Sequence, residues 1–282
     1  MKNLKNLKSI DLLSTTIIGT SINLIWSIVF AIVLIVGLSS VIGRFDISFA
    51  IIGIGIVFGT IILSIAQYFG ISFLYNFLIK KMKNIVVNMP GLDKITEVSV
   101  VPFSLMVAVI SLIISISIYP LIFLALSFVS LLYPLLQAMS LQGLAWLVFP
   151  ISLSFSPMFI VYAFIIGFVF TAIGTFIFNM ISPKIGGLKL SLAADGKMTK
   201  IMSIDPKTTG MITGVICLIF GLIYGIIFSI LTGNLPANLI LIVILTIKGL
   251  IGGFIYGALS SVLYNFFSKK FTHVKLELEE TE

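Results

Sequence analysis

An eight-residue motif occurs twice in the chain, as LYNFLIKK at positions 74–81 and as LYNFFSKK at positions 263–270. Six of the eight residues agree, although the two stretches lie near opposite ends of the chain. A third and weaker copy, IFNMISPK, occupies positions 177–184. In each copy an asparagine is followed five residues later by a lysine. The sequence therefore predicts an internal repeat, which constrains a fold more than any single motif does.

The chain around these stretches is strongly apolar. It has 282 residues, of which 59% are hydrophobic and 10% are charged, and its mean hydropathy is +1.24. A soluble domain cannot bury so large an apolar fraction. The uncharged runs at 15–42 and 47–79 exceed the roughly 20 residues that cross the hydrocarbon core of a bilayer. These features predict a polytopic helical membrane protein.

Each copy of the motif is followed by a short strand-like run, at 84–89, 187–192 and 273–278. The last two runs alternate apolar and polar residues, which is typical of a strand with one covered face. The three predicted units also begin alike, with SIDLLSTT from position 9, SVVPFS from 99 and SIDPKTTG from 203. Each unit is therefore expected to run from a capped helix, through a second helix and the asparagine, to a strand.

The starts of the units carry helix-capping residues. Asp205 is a favourable N-cap, and Pro206 suits the first helical position. Asp11 is expected to cap the first unit in the same way. In the middle unit, Pro102 is expected to fill the position that Pro206 holds in the third.

Three units of two spans predict an all-α polytopic membrane protein, with six transmembrane helices in three two-helix repeats and a pseudo-threefold arrangement. The expected spans lie near 12–38, 49–79, 102–132, 157–182, 207–231 and 238–268. The expected repeats are 1–89, 90–192 and 193–282. The middle repeat carries an insertion at 119–157, interpreted as a re-entrant or interfacial helix on the outer side or as a further helical hairpin.

Two spans per repeat return the chain to its starting side, so all repeat ends share one face. Fifteen lysines fall on that face, at positions 2, 5, 8, 80, 81, 83, 94, 184, 189, 197, 200, 207, 269, 270 and 275. The positive-inside rule makes this face cytoplasmic. The prediction is a multi-pass protein of the cell membrane with both termini in the cytoplasm.

The segments between repeats read as β-hairpins, each a strand, a turn rich in Gly, Asp or Pro, and a strand. The segment before Asp11 and the run 272–278 are left over at the termini. If these two pair with each other or with the hairpins, six strands form a small cytoplasmic β layer, and closure removes its unpaired edges. The segment before Asp11 alternates poorly, so its strand has the least support.

The ends of each repeat resemble a short two-span integral membrane family catalogued as domain of unknown function 3566. The matching residues are Asp205-Pro206 with Leu263-Tyr264-Asn265-Phe266, Ile177-Phe178-Asn179 with Gly186-Gly187-Leu188-Lys189-Leu190, and Asp11 with Leu74-Tyr75-Asn76-Phe77. The Gly-Gly pair is replaced by Lys83-Asn84 in the first repeat and by Thr272-His273 in the third. The resemblance implies an architecture of three fused two-span domains, and it carries no activity.

The repeated asparagines, Asn76, Asn179 and Asn265, have two interpretations. Each amide can satisfy partners where a helix meets the strand layer. Alternatively, the three amides form a ring around the pseudo-threefold axis and line an inner mouth. The lysines that follow them, Lys81, Lys184 and Lys270, are the matching repeated cations.

Lys248 is the one lysine inside an apolar stretch that has no repeated partner. It precedes Asn265 by seventeen residues, about 25 Å along a helix, which favours snorkelling toward the outer headgroups. A role in a pore or in a partner contact is the alternative. No Asp or Glu lies in the middle of a predicted span, which argues against ion-coupled transport through a membrane carboxylate.

Two glycine series fall at helical spacing within predicted spans. Gly249, Gly253 and Gly257 form a double small-residue packing motif, and Gly53, Gly55 and Gly59 form a looser one. The chain holds a single histidine and a single cysteine, so neither a metal site nor a catalytic constellation is expected, and no cofactor is expected either.

These features predict a non-enzymatic integral membrane scaffold or accessory subunit with a basic cytoplasmic docking face. The alternative is a channel or transporter for a small or apolar solute along the pseudo-symmetry axis, because repeated spans are common in such folds. The candidate partners are the lipid bilayer, with anionic lipid at the cytoplasmic face, and protein partners in a membrane complex. Nucleic acid is not expected.

Overall fold

Six long apolar helices dominate the fold. The computed structural model of the protein describes residues 3–138, 158–233 and 238–281. Within these residues, six helices are long and apolar enough to cross a membrane. They are α1 (Leu12–Ile42), α2 (Ile47–Leu78), α3 (Val100–Ala138), α4 (Met158–Ile185), α5 (Pro206–Leu231) and α6 (Leu239–Lys270). The predicted spans are confirmed as helices, and the set fits a multi-pass membrane protein.

Seven strands join into one antiparallel sheet. They are β1 (Leu4–Ile10), β2 (Ile85–Asn88), β3 (Lys94–Ile95), β4 (Glu97–Val98), β5 (Leu188–Asp195), β6 (Met198–Ile204) and β7 (Lys275–Glu280). The order across the sheet is β3-β5-β6-β7-β1-β2-β4. Each of the three strand-like runs predicted from the sequence overlaps a strand, although β5 and β7 extend beyond the predicted ends.

The segment before Asp11, which has the weakest sequence signal, forms the seven-residue strand β1. It pairs on one side with β7, from Lys5 opposite Glu280 to Ile10 opposite Leu276. On its other side it pairs with β2. Two flanking strands supply hydrogen bonds to this segment, so cross-strand pairing outweighs its poor alternation.

The two ends of the sheet order, β3 and β4, are consecutive in the chain and separated only by Thr96. β3 pairs with β5, whereas β4 pairs with β2. The Thr96 amide also donates to Asn88 O at 3.0 Å. The segment 94–98 therefore bonds to one strand with its first half and to another with its second half.

Capping residues set where the helices begin. Asp11 accepts from the Ser14 amide at 2.8 Å, and Asp205 accepts from the Thr208 amide at 2.9 Å. Pro206 occupies the first turn of α5, where its missing N–H costs nothing. The caps predicted at Asp11 and Asp205 are confirmed.

The insertion predicted at 119–157 is described only in part. α3 continues as a helix to Ala138, so the first part of the insertion extends the third helix instead of forming a separate segment. Residues 139–157 lie outside the described residues.

By their contacts, the residues divide into two compact units, Met1–Ser99 with Phe176–Glu282, and Val100–Thr175. The first unit contains the whole sheet, α1, α2, α5, α6 and the end of α4. The second contains α3 and the rest of α4, where a Cβ on Gly167 would lie 3.2 Å from Ser111 Oγ.

The glycines of α6 form its contact with α5. A Cβ on Gly253 would lie 2.6 Å from Cys217 Cβ and 2.8 Å from Thr213 O. A Cβ on Gly257 would lie 2.7 Å from Thr213 Oγ1, and one on Gly249 would overlap Cys217 O. The predicted packing motif is confirmed.

The looser glycine series of α2 is confirmed only at its first residue. A Cβ on Gly53 would lie 2.7 Å from Ile35 Cδ1 of α1. Gly55 and Gly59 have no atom of the described residues within 4 Å of such a Cβ. Two and six residues from Gly53, they lie on other faces of α2, and the part of the chain that the structure describes gives them no close helix contact.

Candidate functional site

Three asparagines join the helix ends to the sheet with the same pair of hydrogen bonds. Asn76 Oδ1 accepts from Ile10 N, and its Nδ2 donates to Ile10 O, both at 2.8 Å. Asn179 binds Val98 N and O at 2.8 Å each. Asn265 binds Ile204 N and O at 2.8 Å each. We call these contacts the three amide clamps.

A hydroxyl group reinforces each amide clamp at the carbonyl three residues earlier in the strand. Tyr75 Oη donates to Leu7 O at 2.7 Å, and Tyr264 Oη donates to Ile201 O at 2.6 Å. In the middle copy a phenylalanine precedes the asparagine and has no hydroxyl. Ser182, one turn after Asn179, donates instead to Ile95 O at 2.8 Å.

At the start of each unit, hydrogen bonds also hold one residue of a neighbouring strand. Both the N–H and the C=O of that strand residue are bound. Lys189 N donates to Thr208 Oγ1 at 3.3 Å, while Lys189 O accepts from Asp205 N at 3.0 Å. Lys275 is held in the same way at the start of α1, where its N–H donates to Ser14 Oγ at 3.3 Å.

The middle unit keeps this double contact with a different hydroxyl. Val86 N donates to Ser99 Oγ at 3.0 Å, and Val86 O accepts from Ser99 N at 2.9 Å. Counted from the amide clamps, Pro102 corresponds to Thr208, not to Pro206 as the sequence predicts. Pro102 has no hydroxyl, so the bond is supplied from three residues earlier.

The amide clamps occupy one oxygen and one nitrogen of each asparagine with backbone groups. Strand residues next to a helix start have N–H and C=O groups that need partners when they are removed from water. The three asparagines are half-buried, and they supply those partners. Their described contacts favour the first of the two interpretations, in which each amide satisfies a helix–strand junction.

The repeated lysines lie beyond the amide clamps, at the ends of their helices. The Lys81 ammonium sits 4.5 Å from the centre of the Phe77 ring, and that of Lys270 sits 4.7 Å from the Phe266 ring. Lys184 is exposed. Lys248 is exposed on α6 and is not brought together with the three asparagines.

A groove of about 920 Å³ lies beside the first amide clamp. It is lined by Lys8, Ser9, Asn76, Ile79, Lys80, Met82, Asn84, Lys197, Glu277, Leu278 and Glu279. We call it the Lys80 groove. Its residues come from α2, the segment after α2, β1, β7 and the turn between β5 and β6, so no local sequence signal marks it.

A second groove, of about 540 Å³, lies against β5 and the turn before β3. Its apolar lining includes Leu190, Leu192 and Leu278, and Lys5 and Asp93 stand among its polar groups. Lys5 is 12% exposed and pairs with Glu280 at 2.7 Å. Like the first groove, it brings together residues that are far apart in the sequence.

Uncharged polar side chains within the helices bind one another. Asn23 Nδ2 donates to Ser64 Oγ at 3.0 Å, and Tyr68 Oη donates to Asn23 Oδ1 at 3.3 Å, linking α1 to α2. Trp26 Nε1 donates to Ser260 Oγ at 3.1 Å, linking α1 to α6. Sequence reasoning missed this cluster, although an asparagine inside an apolar run was a usable signal.

The described residues hold no group of three or more His, Cys, Asp or Glu side chains that could bind a metal ion. Comparisons with protein-family models, with curated proteins and with solved structures find no match for the chain.

An ion-pair cluster at the tip of the β5–β6 hairpin predicts an acid-dependent stability. Asp195 binds Lys275 at 2.9 Å and Lys200 at 3.1 Å. The hydrogen bond from Lys275, followed by that from Lys200, lowers the pKa of the Asp195 carboxyl. This contribution is present above the unfolded-state pKa, which is about 4. It is lost as the pH falls through the lower folded-state pKa.

We therefore expect Asp195→Asn to lower the thermal unfolding midpoint in detergent at about pH 7 and to have progressively less effect below about pH 4. The measurement is a melting curve of parent and variant at each pH. A difference that is unchanged at about pH 2 would contradict the assigned role of the carboxylate.

Proposed function

We propose that the chain is a non-enzymatic membrane scaffold or accessory subunit, built from three copies of a two-helix unit. The observation that carries the proposal is the threefold recurrence of the amide clamp with identical partner positions. Each clamp ties the end of the second helix of a unit to the strand that precedes its first helix. The pseudo-threefold arrangement of the helices and the relationship to domain of unknown function 3566 belong to this proposal as predictions.

The strand pairings support a three-copy origin. In the proposed units, the strand before the first helix pairs with the strand after the second helix: β1 with β2, β3 with β5, and β6 with β7. The strand before the first helix also pairs with the strand after the second helix of another unit: β1 with β7, β4 with β2, and β6 with β5. The two terminal strands, β1 and β7, therefore pair as the strands between neighbouring units do. A closed β layer requires this pairing.

The sheet is proposed to face the cytoplasm. Lys80, Lys81 and Lys83 follow the first amide clamp, Lys184 follows the second, and Lys269 and Lys270 follow the third. Cytoplasmic loops carry the excess of lysine and arginine in multi-pass proteins. The first and last strands of the described chain, β1 and β7, both belong to this sheet.

A docking role is the use that this geometry supports best. The amide clamps bind the sheet to the ends of α2, α4 and α6. A surface that is ordered before binding loses little conformational freedom on association. Its lysines complement an acidic protein surface, and charge complementarity of this kind raises association rates and selects partners.

Photo-crosslinking in native membranes tests the docking role. A photoreactive amino acid is placed at Leu92 or at Lys184, both of which are exposed on the sheet side. The control position is Phe58 on α2, which is 64% exposed in an apolar stretch. We expect one recurrent protein adduct from Leu92 or Lys184 and lipid adducts from Phe58. Recovery of the chain without a protein adduct from either sheet position would count against a subunit role.

Transport of a small or apolar solute stays a prediction of the sequence. Asn23 and Trp26 already bind Ser64 and Ser260, so these two side chains do not favour a polar lining. A flux assay in proteoliposomes is the direct measurement of this alternative.

A further inference from the structure

The Lys80 groove lies where a helix that could span a membrane ends. Asn76 and Ile79 on its wall belong to the last turn of α2 and the residue that follows it, and Lys80 comes directly after. On the proposed placement of the sheet, this level is that of the lipid headgroups. The inference rests on that placement and does not depend on a protein partner.

The carboxylates of the groove already have partners within the chain. Glu279 binds the Lys8 ammonium at 2.8 Å. Glu277 accepts from Ser9 Oγ at 2.7 Å. Lys8 balances the charge of Glu279, whereas Ser9 gives Glu277 a hydrogen bond and no charge, so the groove keeps one cation in excess over its acids.

Two ammonium groups remain in the groove. Lys80 and Lys197 are both exposed, and within the described residues neither takes part in an ion pair. Lys80 comes from the end of α2, while Lys197 comes from the turn between β5 and β6, which Gly196 closes with φ +64°. Two cations from separate elements that line one groove, with their neighbouring acids already bound, favour an anionic ligand.

The rest of the lining selects among anions. Met82 and Leu278, both partly exposed, give the groove an apolar part beside the two lysines. A free inorganic anion gains nothing from such a surface, whereas a lipid phosphate is followed directly by a glycerol backbone and acyl chains. Basic pockets beside membrane helices bind anionic headgroups by this combination.

We propose that the Lys80 groove binds the phosphate group of an anionic membrane phospholipid. The Lys80 and Lys197 ammonium groups contact the phosphate, and the Asn84 side chain stands beside them as a further donor. Met82 and Leu278, which are partly exposed, contact the glycerol end of the lipid. The lining holds Lys8, Lys80 and Lys197 against Glu277 and Glu279, so the single negative charge of a phosphate diester would balance its one net positive charge.

Native mass spectrometry of the purified full chain tests this proposal. The protein is titrated with phosphatidylglycerol, with phosphatidylcholine as the zwitterionic comparison and inorganic phosphate as a competitor. We expect a preference for phosphatidylglycerol that falls about tenfold or more in the double variant Lys80→Gln/Lys197→Gln, since each lysine near a membrane surface contributes measurably to anionic lipid binding.

The matched control is Lys184→Gln/Lys270→Gln, which removes two lysines from the same face but outside the groove. Its binding is expected to stay within about twofold of the parent. An equal loss in both double variants would mean general surface attraction and would overturn the proposal. Displacement of the lipid by inorganic phosphate at similar concentration would overturn the choice of a lipid ligand.

Two further measurements separate folding and docking from lipid binding. Lys197→Arg keeps the charge and is expected to retain the preference, and the thermal midpoint of each variant reports whether it is folded. Crosslinks from Leu92 and Lys184 are measured in the Lys80→Gln/Lys197→Gln background. Lost lipid binding with intact protein crosslinks supports the lipid site, and lost crosslinks with intact lipid binding weigh against the docking role alone.

Discussion

Replacement of Asn265 by leucine is expected to lower the free energy of unfolding by about 2–4 kcal/mol. Leucine keeps the size of the side chain but removes both bonds to Ile204, whose N–H and C=O are held at 2.8 Å each. Each backbone group that is left without a partner away from water costs about 1–3 kcal/mol. The measurement is the unfolding transition in detergent, together with amide hydrogen exchange at Ile204.

A matched control separates the amide clamp from a general effect of an added apolar side chain. Asn84 is exposed near the end of α2 and makes no amide clamp, so Asn84→Leu is expected to change the free energy of unfolding by less than about 0.5 kcal/mol. Asn76→Leu and Asn179→Leu should lower it about as much as Asn265→Leu does. Equal stability of the Asn265 and Asn84 variants would contradict the clamp.

The three asparagines show how far sequence reasoning reaches at this site. The repeated letters mark the positions that make the amide clamps, because the same residue is needed to bind one N–H and one C=O. The reinforcing hydroxyls are harder to find. Ser182 replaces a tyrosine hydroxyl from one turn later, and Ser99 replaces the hydroxyl missing at Pro102. A comparison of repeated sequences matches residues position by position. It therefore does not predict a hydrogen bond when the hydroxyl comes from a different position in one copy.

The sheet shows the same division between local and distant information. Period-two alternation is enough to predict strands in β5 and β7, since each strand carries its own pattern. β1 has a weak pattern and forms between β2 and β7, strands from distant parts of the chain. The Lys80 groove likewise exists only after Lys80 and Lys197, more than a hundred residues apart in the sequence, line one surface.

Replacement of Gly253 by alanine is expected to lower the free energy of unfolding. Helix propensity alone would change this free energy in the opposite direction, so the two contributions can be told apart. Alanine is favoured over glycine in a helix interior by about 1 kcal/mol, so the substitution alone would stabilise α6. At Gly253, however, the new methyl group would lie 2.6 Å from Cys217 Cβ and 2.8 Å from Thr213 O. The second contact is with backbone, so α5 and α6 must move apart, which costs about 1–3 kcal/mol.

The neighbouring residue provides the control within the same turn of α6. A Cβ on Gly252 would have no atom of the described residues within 4 Å. We expect Gly252→Ala to leave the unfolding transition unchanged or to raise the free energy of unfolding by up to about 1 kcal/mol. Gly253→Ala should lower it, so only the substitution at Gly253 is expected to destabilise the protein. If both variants shift the transition equally and in the same direction, the close approach of α5 and α6 at Gly253 is not what stabilises this helix pair.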